Sequence, residues 1–299
     1  KICCNFFGNP SKKLKLIGVT GTNGKTSLTG ILTHISNHLK VPALSLGNIG
    51  VALCDTVSTE QDQGKLIFHE TSSFQCQHTN FFEPDSAIWI NFAPDHLDYH
   101  GTTQEYFNSK LIFIHSCKNP DRVYLGSSVF QYAQKFGIPM NPLFRKIEPI
   151  VPSEVPSGVR SFHRTHPQLE NLAFAFAWFS DRGFSNKEIV FALDGYQPEP
   201  YRLQKISVIN EVSFWNDSKS TNLASVVSAC ESFTQKVIWI GGGKNKGQDV
   251  GEFTSTLFPY LEKAYLIGQT AGEILHHLLR KGVEAEICSS LKEAVFRAF

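Results

Sequence analysis

Short apolar runs alternate with longer segments of helical periodicity along most of the chain. Leu14 to Val19 is a run of strand length, and large aliphatic side chains from Leu28 to Leu39 then recur at the spacing of one helix face. The same patterns predict further strands at 41–46, 65–69, 86–92 and 122–125, and further helices at 103–116 and 169–180. Such alternation is typical of an α/β fold, in which helices cover a mostly parallel sheet.

A proline-rich segment, Gln197 to Tyr201, interrupts this pattern and predicts a boundary between two domains, 1–200 and 201–299. After it the alternation resumes. Strands are predicted at 203–210, 212–215, 237–240 and 264–267, and helices at 221–232, 270–280 and 290–299. A second proline-rich segment, 142–161, is predicted to be a loop or a small antiparallel excursion.

The composition is that of a folded protein that binds small molecules. The 299 residues are 41% hydrophobic and 18% charged, which excludes an intrinsically disordered chain or a coiled coil. Because the formal net charge is only +1, nucleic acid is not an expected partner. Seven cysteines are scattered without CxxC spacing, as expected of reduced thiols in the cytoplasm. No apolar run reaches the ~20 residues of a membrane span.

The chain is predicted to be a fragment of a longer protein. It begins at Lys1 rather than Met. At the other end, Ser290 and Glu293 form a capping-box signature, and the helical pattern that follows runs to Phe299 without a stop signal.

A glycine-rich segment, Thr20-Gly21-Thr22-Asn23-Gly24-Lys25-Thr26, connects the first predicted strand to the first predicted helix. We call residues 20–26 the phosphate loop, because backbone N–H groups of such a turn at a helix N-terminus form a concave site for phosphate oxygens. Lys25 adds a positive charge and Thr26 a hydroxyl ligand for Mg²⁺. The spacing differs from GxxxxGK[ST], which requires Gly where Val19 stands. The alternative is an ordinary glycine-rich turn with a solvated lysine.

Three further polar clusters follow predicted strands, and the carboxyl ends of parallel strands share one edge of a sheet, where ligands bind. The clusters are 47–50 (GNIG), 70–75 (ETSSFQ) and 95–98 (DHLD). Glu70 and His96 are suited to ligate a cation beside a nucleotide. Asn48, Ser72 and Gln75 can hydrogen-bond a substrate. Taken singly, each has a structural alternative: a helix cap, a surface carboxylate, or a histidine bonded to a backbone carbonyl.

Lys110 lies on the apolar face of its predicted helix, four residues after Tyr106 and four before Ile114. Periodicity alone favours an aliphatic stem that covers the core while the ammonium group reaches water. The alternative is a lysine that is chemically modified or acts as a base.

Two polar segments occupy similar positions in the second domain. They are 216–222 (NDSKSTN), after the strand at 212–215, and 241–247 (GGGKNKG), after the strand at 237–240. These groups either meet the first domain's site across a cleft, or form only a capped helix and a flexible glycine-rich loop.

Together these motifs resemble those of the Mur ligases, the ATP-dependent amide-bond ligases of bacterial cell-wall synthesis, from Leu14 to about Ile287. TGTNGKT at 20–26 and DHLDYHG at 95–101 are shared across the superfamily, which includes folylpolyglutamate synthases. ETSSFQ and NDSKSTN resemble the branch that adds D-glutamate. The resemblance implies a P-loop-type, mostly parallel central domain at 1–200 and an incomplete Rossmann-like α/β C-terminal domain at 201–299. It also implies a UDP-binding N-terminal domain before Lys1.

The implied reaction joins D-glutamate to UDP-N-acetylmuramoyl-L-alanine through an acyl phosphate. This reaction requires ATP and two Mg²⁺ ions. The resemblance also implies a cytoplasmic monomer with neither nucleic acid nor membrane as a partner. The implied catalytic residues are Lys25, His96 and Lys110. The implied ATP contacts are Gly21, Thr22, Asn23, Gly24, Lys25, Thr26, Asn171, Arg202 and Asp217. The implied metal ligands are Thr26, Glu70, His96 and Lys110, the last as a carbamate. The implied substrate contacts are Asn48, Ser72 and Gln75 for the muramoyl compound, and Lys219, Thr221 and Lys246 for product or D-glutamate.

Three features depart from the family pattern. Where the family shows His-Asn-x-x-Asn, the chain has 166–171 (HPQLEN), so that only Asn171 is in register. Tyr201 replaces the histidine that precedes the hinge arginine. The family's late Ser and Phe would lie beyond Phe299, so we expect the chain not to hold the amino acid fully. Because the resemblance places most of the UDP site before Lys1, we expect the chain alone to be inactive.

Two alternatives stay open. One is another ligase of the superfamily, either a diaminopimelate- or lysine-adding Mur ligase, whose form of DHLDYHG this chain shares, or a folylpolyglutamate-type ligase. The other is a nucleotide-binding regulatory module that performs no ligation. A second metal site at Glu70, His96 and Lys110 argues against that module, because a simple switch needs only one Mg²⁺.

Overall fold

The computed structural model describes residues 14–50, 52–53, 64–78, 82–159 and 168–299. The chain divides into two compact units, Lys1–Ala93 with Thr102–Glu199, and Pro94–Gly101 with Pro200–Phe299. The short segment Pro94–Gly101 thus belongs to the second unit, whereas the predicted division at residue 200 placed it with the first domain.

The described part of the first unit contains a sheet of six parallel strands in the order β2-β3-β1-β4-β5-β6. Its strands are β1 (Lys15–Thr20), β2 (Ala43–Gly47), β3 (Leu66–Glu70), β4 (Ser86–Trp89), β5 (Val123–Gly126) and β6 (Arg145–Ile147). The central strands are buried on both faces, which is why they appear in the sequence as continuous apolar runs. The predicted α/β fold with a mostly parallel sheet is confirmed.

Helices cover both faces of this sheet. They are α1 (Lys25–His38), α2 (Ser73–Cys76), α4 (Thr103–His115), α5 (Ser127–Lys135), α6 (Gln168–Ser180) and α7 (Asn186–Leu193); α3 (Leu97–His100) belongs to the second unit. Capping boxes formed by Thr102 with Glu105 and by Ser185 with Glu188 begin α4 and α7. Local sequence thus sets where these helices start.

Two apolar cores, one on each face, hold β1 in the centre. Ile17 packs on the side of α1 and α6, with Leu32 and Trp178. Leu16 packs on the opposite side, with Phe113 of α4. Because side chains alternate along a strand, β1 carries apolar residues toward both cores and is fixed in register by them.

The second unit contains a parallel sheet in the order β11-β10-β9 and a separate antiparallel hairpin, β7-β8. The strands are β7 (Gln204–Ile209), β8 (Val212–Asn216), β9 (Val237–Gly242), β10 (Leu261–Ile267) and β11 (Glu284–Ile287). The helices are α3 (Leu97–His100), α8 (Leu223–Glu231), α9 (Val250–Leu257), α10 (Ala271–Arg280) and α11 (Leu291–Ala298). Across the described residues, none of the helices is long and apolar enough to span a bilayer.

Several elements differ from the sequence-based expectation. The segment 142–161 was predicted to be a loop or a small antiparallel excursion. It contains β6, which instead pairs with β5 as a parallel strand at the edge of the sheet. The strand predicted at 86–92 ends at Trp89. The hairpin is antiparallel because two residues, Asn210 and Glu211, form its turn with positive φ, and so short a connection cannot cross over to a parallel strand. Five of the helices, α2, α3, α5, α7 and α9, and the strand β11 were not predicted.

Four cysteines of the described residues, Cys76, Cys117, Cys230 and Cys288, are free and buried. The other three, Cys3, Cys4 and Cys54, lie outside the described residues. Burial raises the pKa of the Cys117 thiol to about 11 and that of Cys230 to about 12, so these thiols stay protonated near neutral pH.

A substitution at Gly18, in the centre of β1, tests how tightly α4 packs on this strand. A Cβ at that position would lie 2.2 Å from Cζ of Phe113. We expect Gly18→Ala to lower the free energy of unfolding by about 1–3 kcal/mol, because the ring cannot move without disturbing the core on that face. Urea denaturation measures the effect. Gly272→Ala is the control, since a Cβ there meets nothing within 4 Å; an equal loss in both variants would contradict the packing argument.

Candidate functional site

The phosphate loop leaves β1 at the centre of the sheet and enters α1 through Gly24. Gly24 has φ 83° and precedes the helix without a side-chain cap. The first hydrogen bond of the helix runs from Leu28 N–H to the Gly24 carbonyl at 2.8 Å. The N–H groups of Gly24, Lys25 and Thr26 precede that bond, in the position at which helix N-termini bind phosphate oxygens.

Asn91, just after β4, holds the first half of the loop. Its carbonyl oxygen accepts the Thr22 N–H at 3.1 Å, and its side-chain Oδ1 accepts the Asn23 N–H at 2.9 Å. Both N–H groups are therefore directed at Asn91. The sequence had suggested successive N–H groups along the whole turn as phosphate donors, but the geometry favours those from Gly24 onward.

Two lysine ammonium groups meet at the carbonyl oxygen of Gly21. Lys25 Nζ donates to it at 2.9 Å, and Lys110 Nζ donates to it at 3.0 Å and to Thr20 Oγ1 at 3.2 Å. Lys110 is only 1% exposed, so its ammonium group does not reach water as the apolar-face alternative required. The two nitrogens are thus at most about 6 Å apart.

A carboxylate lies beside the start of α1. Glu70, at the end of β3, accepts the Thr26 hydroxyl at 2.8 Å on Oε2 and the Asn48 amide at 3.3 Å on Oε1. Glu70 and Thr26 are both buried. Hydroxyl and carboxylate oxygens together are the ligand type that Mg²⁺ prefers, so this pair fits a magnesium ion.

Ser72 and Gln75 cap the short helix α2. Ser72 Oγ accepts the Gln75 N–H at 3.3 Å, and Gln75 Oε1 accepts the Ser72 N–H at 2.9 Å. This capping box is the structural alternative that the sequence left open for Ser72. The contact of Ser72 and Gln75 with substrate stays a prediction.

The start of α6 faces the phosphate loop with two polar residues. Asn171 is 1% exposed, and its Oδ1 has no hydrogen-bond partner; a Cβ on Gly24 would lie 2.6 Å from that oxygen. Its neighbour Glu170 accepts the Asn91 amide at 2.5 Å on Oε2. Burial raises the pKa of Glu170 to about 7, although the bond from Asn91 opposes the rise.

In the second unit, His96 follows a buried aspartate. His96 has φ 54°, an unusual conformation for a non-glycine residue, and its N–H donates to Asp95 Oδ1 at 2.8 Å. Asp95 Oδ2 accepts the Asn222 amide at 3.1 Å. Gln248 donates its amide to the Pro94 carbonyl at 2.5 Å. These contacts fix the backbone on both sides of Asp95 within this unit.

The remaining predicted residues of the second unit fall into two groups. Asp217 accepts the Leu203 N–H at 2.7 Å, and burial raises its pKa; Arg202 donates to the Lys219 carbonyl at 3.5 Å. Thr221 and Lys246 instead line one pocket, together with Lys244, Asn245 and Thr270.

Residues 19–132 match the family model of the Mur ligase middle domain. The UDP-N-acetylmuramoylalanine–D-glutamate ligase of Desulfitobacterium hafniense (strain Y51) is 30% identical over 302 residues, an alignment that covers 90% of this chain and 65% of that protein. The protein of the same name in Protochlamydia amoebophila (strain UWE25) is 29% identical, with 93% and 66% covered. Over at least 90% of its length, the chain is thus similar to Mur ligases.

Solved Mur ligase and folylpolyglutamate synthase structures share the fold. MurF from Acinetobacter baumannii superposes with a TM-score of 0.75 at 15% identity, covering 99% of this chain and 72% of that one. Folylpolyglutamate synthase of Mycobacterium tuberculosis, complexed with ADP, gives 0.69 at 13% identity, with 99% and 85% covered. The chain spans just under two thirds of the length of the curated relatives named above, 65% and 66%.

Within the described part of the chain, no group of three or more His, Cys, Asp and Glu side chains could hold a metal ion. The metal ligands implied by the sequence include only two residues of those types, Glu70 and His96, so that ligand set stays a prediction. It needs the Thr26 hydroxyl and a modified Lys110 to be complete.

Four polar residues that bond to the candidate groups of the two units were not singled out from the sequence: Asn91, Glu170, Asp95 and Asn222. Asn91 was hidden inside a strand predicted to run to residue 92, although β4 ends at Trp89 and leaves Asn91 at the ligand-binding edge. Glu170 lies in the segment 166–171, which was discussed for Asn171. Asn222 lies in the segment 216–222, where the residues singled out were Asp217, Lys219 and Thr221. Asp95 was noted only as part of the cluster at 95–98.

The raised pKa of Glu170 predicts a pH-dependent stability. An unfolded glutamate titrates near its model value of 4.5 and the folded one near 7, so between these values only the folded state holds the proton, and stability falls as pH rises. Glu170→Gln lacks this loss. We expect it to gain stability relative to the wild type between pH 5 and pH 8, on the order of 1–3 kcal/mol, in urea denaturation.

Glu188→Gln is the matched control for this experiment. Hydrogen bonds from Ser185 lower the pKa of Glu188, so this carboxylate is ionised in both states above pH 5. Its difference from the wild type should not change between pH 5 and pH 8. A Glu170→Gln difference that is equally flat would show that Glu170 titrates normally.

Proposed function

We propose that this protein is a UDP-N-acetylmuramoylalanine–D-glutamate ligase, which uses ATP to join D-glutamate to UDP-N-acetylmuramoyl-L-alanine in peptidoglycan precursor synthesis. The observation that carries the proposal is the convergence of Lys25 and Lys110 on the Gly21 carbonyl, beside the Thr26–Glu70 pair. The names of relatives at about 30% identity, and the motifs at 70–75 and 216–222, support the D-glutamate branch.

The Lys25 ammonium group and the start of α1 suit a polyphosphate ligand. An anion bound there would face the Lys25 charge and accept hydrogen bonds from the N–H groups of Gly24, Lys25 and Thr26. ATP is therefore the proposed ligand of the phosphate loop, and the unpartnered Oδ1 of Asn171 is a suitable acceptor on its nucleoside side.

Thr26 and Glu70 would hold one Mg²⁺, which, when bound, supplies charge neutralisation beside the phosphates. The Asn48 amide keeps the carboxylate of Glu70 in place for this role. We further propose a second Mg²⁺ on His96 and Lys110, with Lys110 carbamylated. Addition of CO₂ to the neutral amine forms an N–C bond, releases a proton and replaces the positive charge next to Lys25 with a negative one.

The proposed reaction has two steps. The L-alanyl carboxylate attacks the γ-phosphorus of ATP, and ADP leaves, which gives an acyl phosphate. The amine of D-glutamate then attacks the acyl carbonyl, loses a proton, and phosphate leaves. Two anions must approach each other in the first step, so Lys25 contributes by neutralising charge on the transferred phosphoryl group. Neither step needs a covalent bond to the enzyme.

The proposed substrate contacts follow the position of each group. Asn48, Ser72 and Gln75 lie after strands β2 and β3, at the edge of the sheet proposed to face the muramoyl substrate. Arg202 and Asp217 are proposed to contact the nucleotide, and Lys219 the product. Thr221 and Lys246 line a pocket that Lys244 makes more cationic, which suits a dicarboxylate such as D-glutamate. Location in the cytoplasm and a monomeric state stay predictions.

Phosphate release tests the function. The protein as its gene encodes it, with whatever residues flank this chain, is given ATP, Mg²⁺, UDP-N-acetylmuramoyl-L-alanine and one candidate amino acid at a time. We expect release with D-glutamate only, and none from Lys25→Ala, which should unfold at the same temperature as the wild type. Release with meso-diaminopimelate or lysine in place of D-glutamate would assign another branch. No release with any amino acid, while ATP still binds, would favour a regulatory module.

Chemical rescue tests the carbamate on Lys110. Lys110→Ala should lose activity by at least about 100-fold, the upper end of the loss seen when an outer partner of a metal ligand is removed. Added formate or acetate should restore part of the activity, since a small carboxylate can replace the carbamate oxygens. Lys135→Ala removes an exposed lysine of the same unit and should respond to neither change. An inactive Lys110→Ala that no carboxylate restores would argue for the unmodified ammonium group.

A further inference from the structure

We propose that Glu170 is a positioning residue for the phosphate loop, which it holds in its phosphate-binding conformation by orienting the side chain of Asn91. Neither residue is among the ATP contacts proposed above. The inference rests on the proposed binding of ATP to this loop, because a positioning role has meaning only for a loop that binds a ligand.

Asn91 is the link between Glu170 and the loop. Its amide Nδ2 donates to Glu170 Oε2 at 2.5 Å, and its Oδ1 accepts the Asn23 N–H at 2.9 Å. Its main-chain carbonyl accepts the Thr22 N–H at 3.1 Å and the Trp89 indole N–H at 3.1 Å. One residue thus ties two consecutive N–H groups of the loop to the end of β4.

An accepting side-chain oxygen at position 170 gives this link one orientation. The side-chain amide of asparagine has a donor end and an acceptor end of the same shape, and rotation by 180° exchanges them. If Asn91 turned that way, its NH₂ group would face the Asn23 N–H, and two donors would oppose each other. The accepting oxygen of Glu170 favours the other orientation, in which Oδ1 is directed at Asn23.

The loop conformation that results places Gly24 against α6. Gly24 has φ 83°, and the side chain of Asn171 lies so close that a Cβ on Gly24 would be 2.6 Å from its Oδ1. Glu170 and Asn171 are adjacent, so the first turn of α6 contacts the loop on both sides: at Gly24 directly, and at Asn23 through Asn91. A shift of the Asn23 N–H would change the direction of the neighbouring N–H groups that the proposal assigns to phosphate.

A purely structural role for Glu170 makes a different prediction. In that case its loss would destabilise the fold and leave the affinity of the folded protein for nucleotide unchanged. A positioning role predicts the reverse: a loss of nucleotide affinity that exceeds any loss of stability, and recovery by a side chain that keeps the accepting oxygen.

The test measures MgADP and MgATP affinity by calorimetry, and the urea unfolding midpoint, on the same preparations of this chain. We expect Glu170→Ala and Asn91→Ala each to weaken nucleotide affinity about tenfold, the scale of one well-formed hydrogen bond, and Glu170→Gln to stay within about threefold of the wild type. The double variant Glu170→Ala/Asn91→Ala should bind no more weakly than Asn91→Ala, because the two residues act in series.

Glu188→Ala is the control for stability, since it removes a capping-box bond from α7 in the same unit. It should shift the unfolding midpoint and leave affinity unchanged. Affinity of Glu170→Ala within twofold of the wild type, or additive losses in the double variant, would overturn the positioning role alone. An absence of nucleotide binding by the wild-type chain, or normal binding by Lys25→Ala, would instead overturn the proposed function.

Discussion

The burial of Lys110 beside Lys25, at one carbonyl oxygen, is the constraint around which the first unit is arranged. Lys110 is almost fully buried where it meets Lys25 at Gly21, so water screens the pair poorly. A fold tolerates such a pair only if other interactions stabilise the folded state. Here two apolar cores pack against β1, one on each face of the sheet. Packing against β1 thus holds both lysine side chains beside the start of α1, where ATP is proposed to bind.

The order of the strands turns this constraint into a site. Because β1 lies between β3 and β4, with β2 beyond β3, the residues that follow these four parallel strands share one edge of the sheet. Asn48, Glu70 and Asn91 lie at the ends of three different strands. Glu70 contacts Thr26 at the start of α1, Asn91 contacts the phosphate loop at Asn23, and Asn48 contacts Glu70. The site therefore depends on the topology as much as on any motif.

Much of this could be predicted from the sequence, because the deciding signals are local. Glycine spacing located the turn at Gly24, apolar runs located the central strands, and their order placed Glu70 near Thr26. The signals failed where tertiary contacts decide. The apolar run at 86–92 continues past the point where β4 leaves the sheet at Trp89, so no local pattern could show that Asn91 turns toward the loop. The same reason hid β6, whose few exposed residues carry no strand pattern.

The segment Pro94–Gly101 belongs to the second unit and carries His96. Its histidine is attached in sequence to the first unit's β4, but its buried neighbour Asp95 is bonded to Asn222 at the start of α8, and Pro94 is bonded to Gln248. Asn222 also caps α8 by accepting the Ser225 N–H. The conformation at His96, with its positive φ, is therefore set by the helix that follows NDSKSTN. A motif assigned to amino-acid binding thereby also determines where a proposed metal ligand lies.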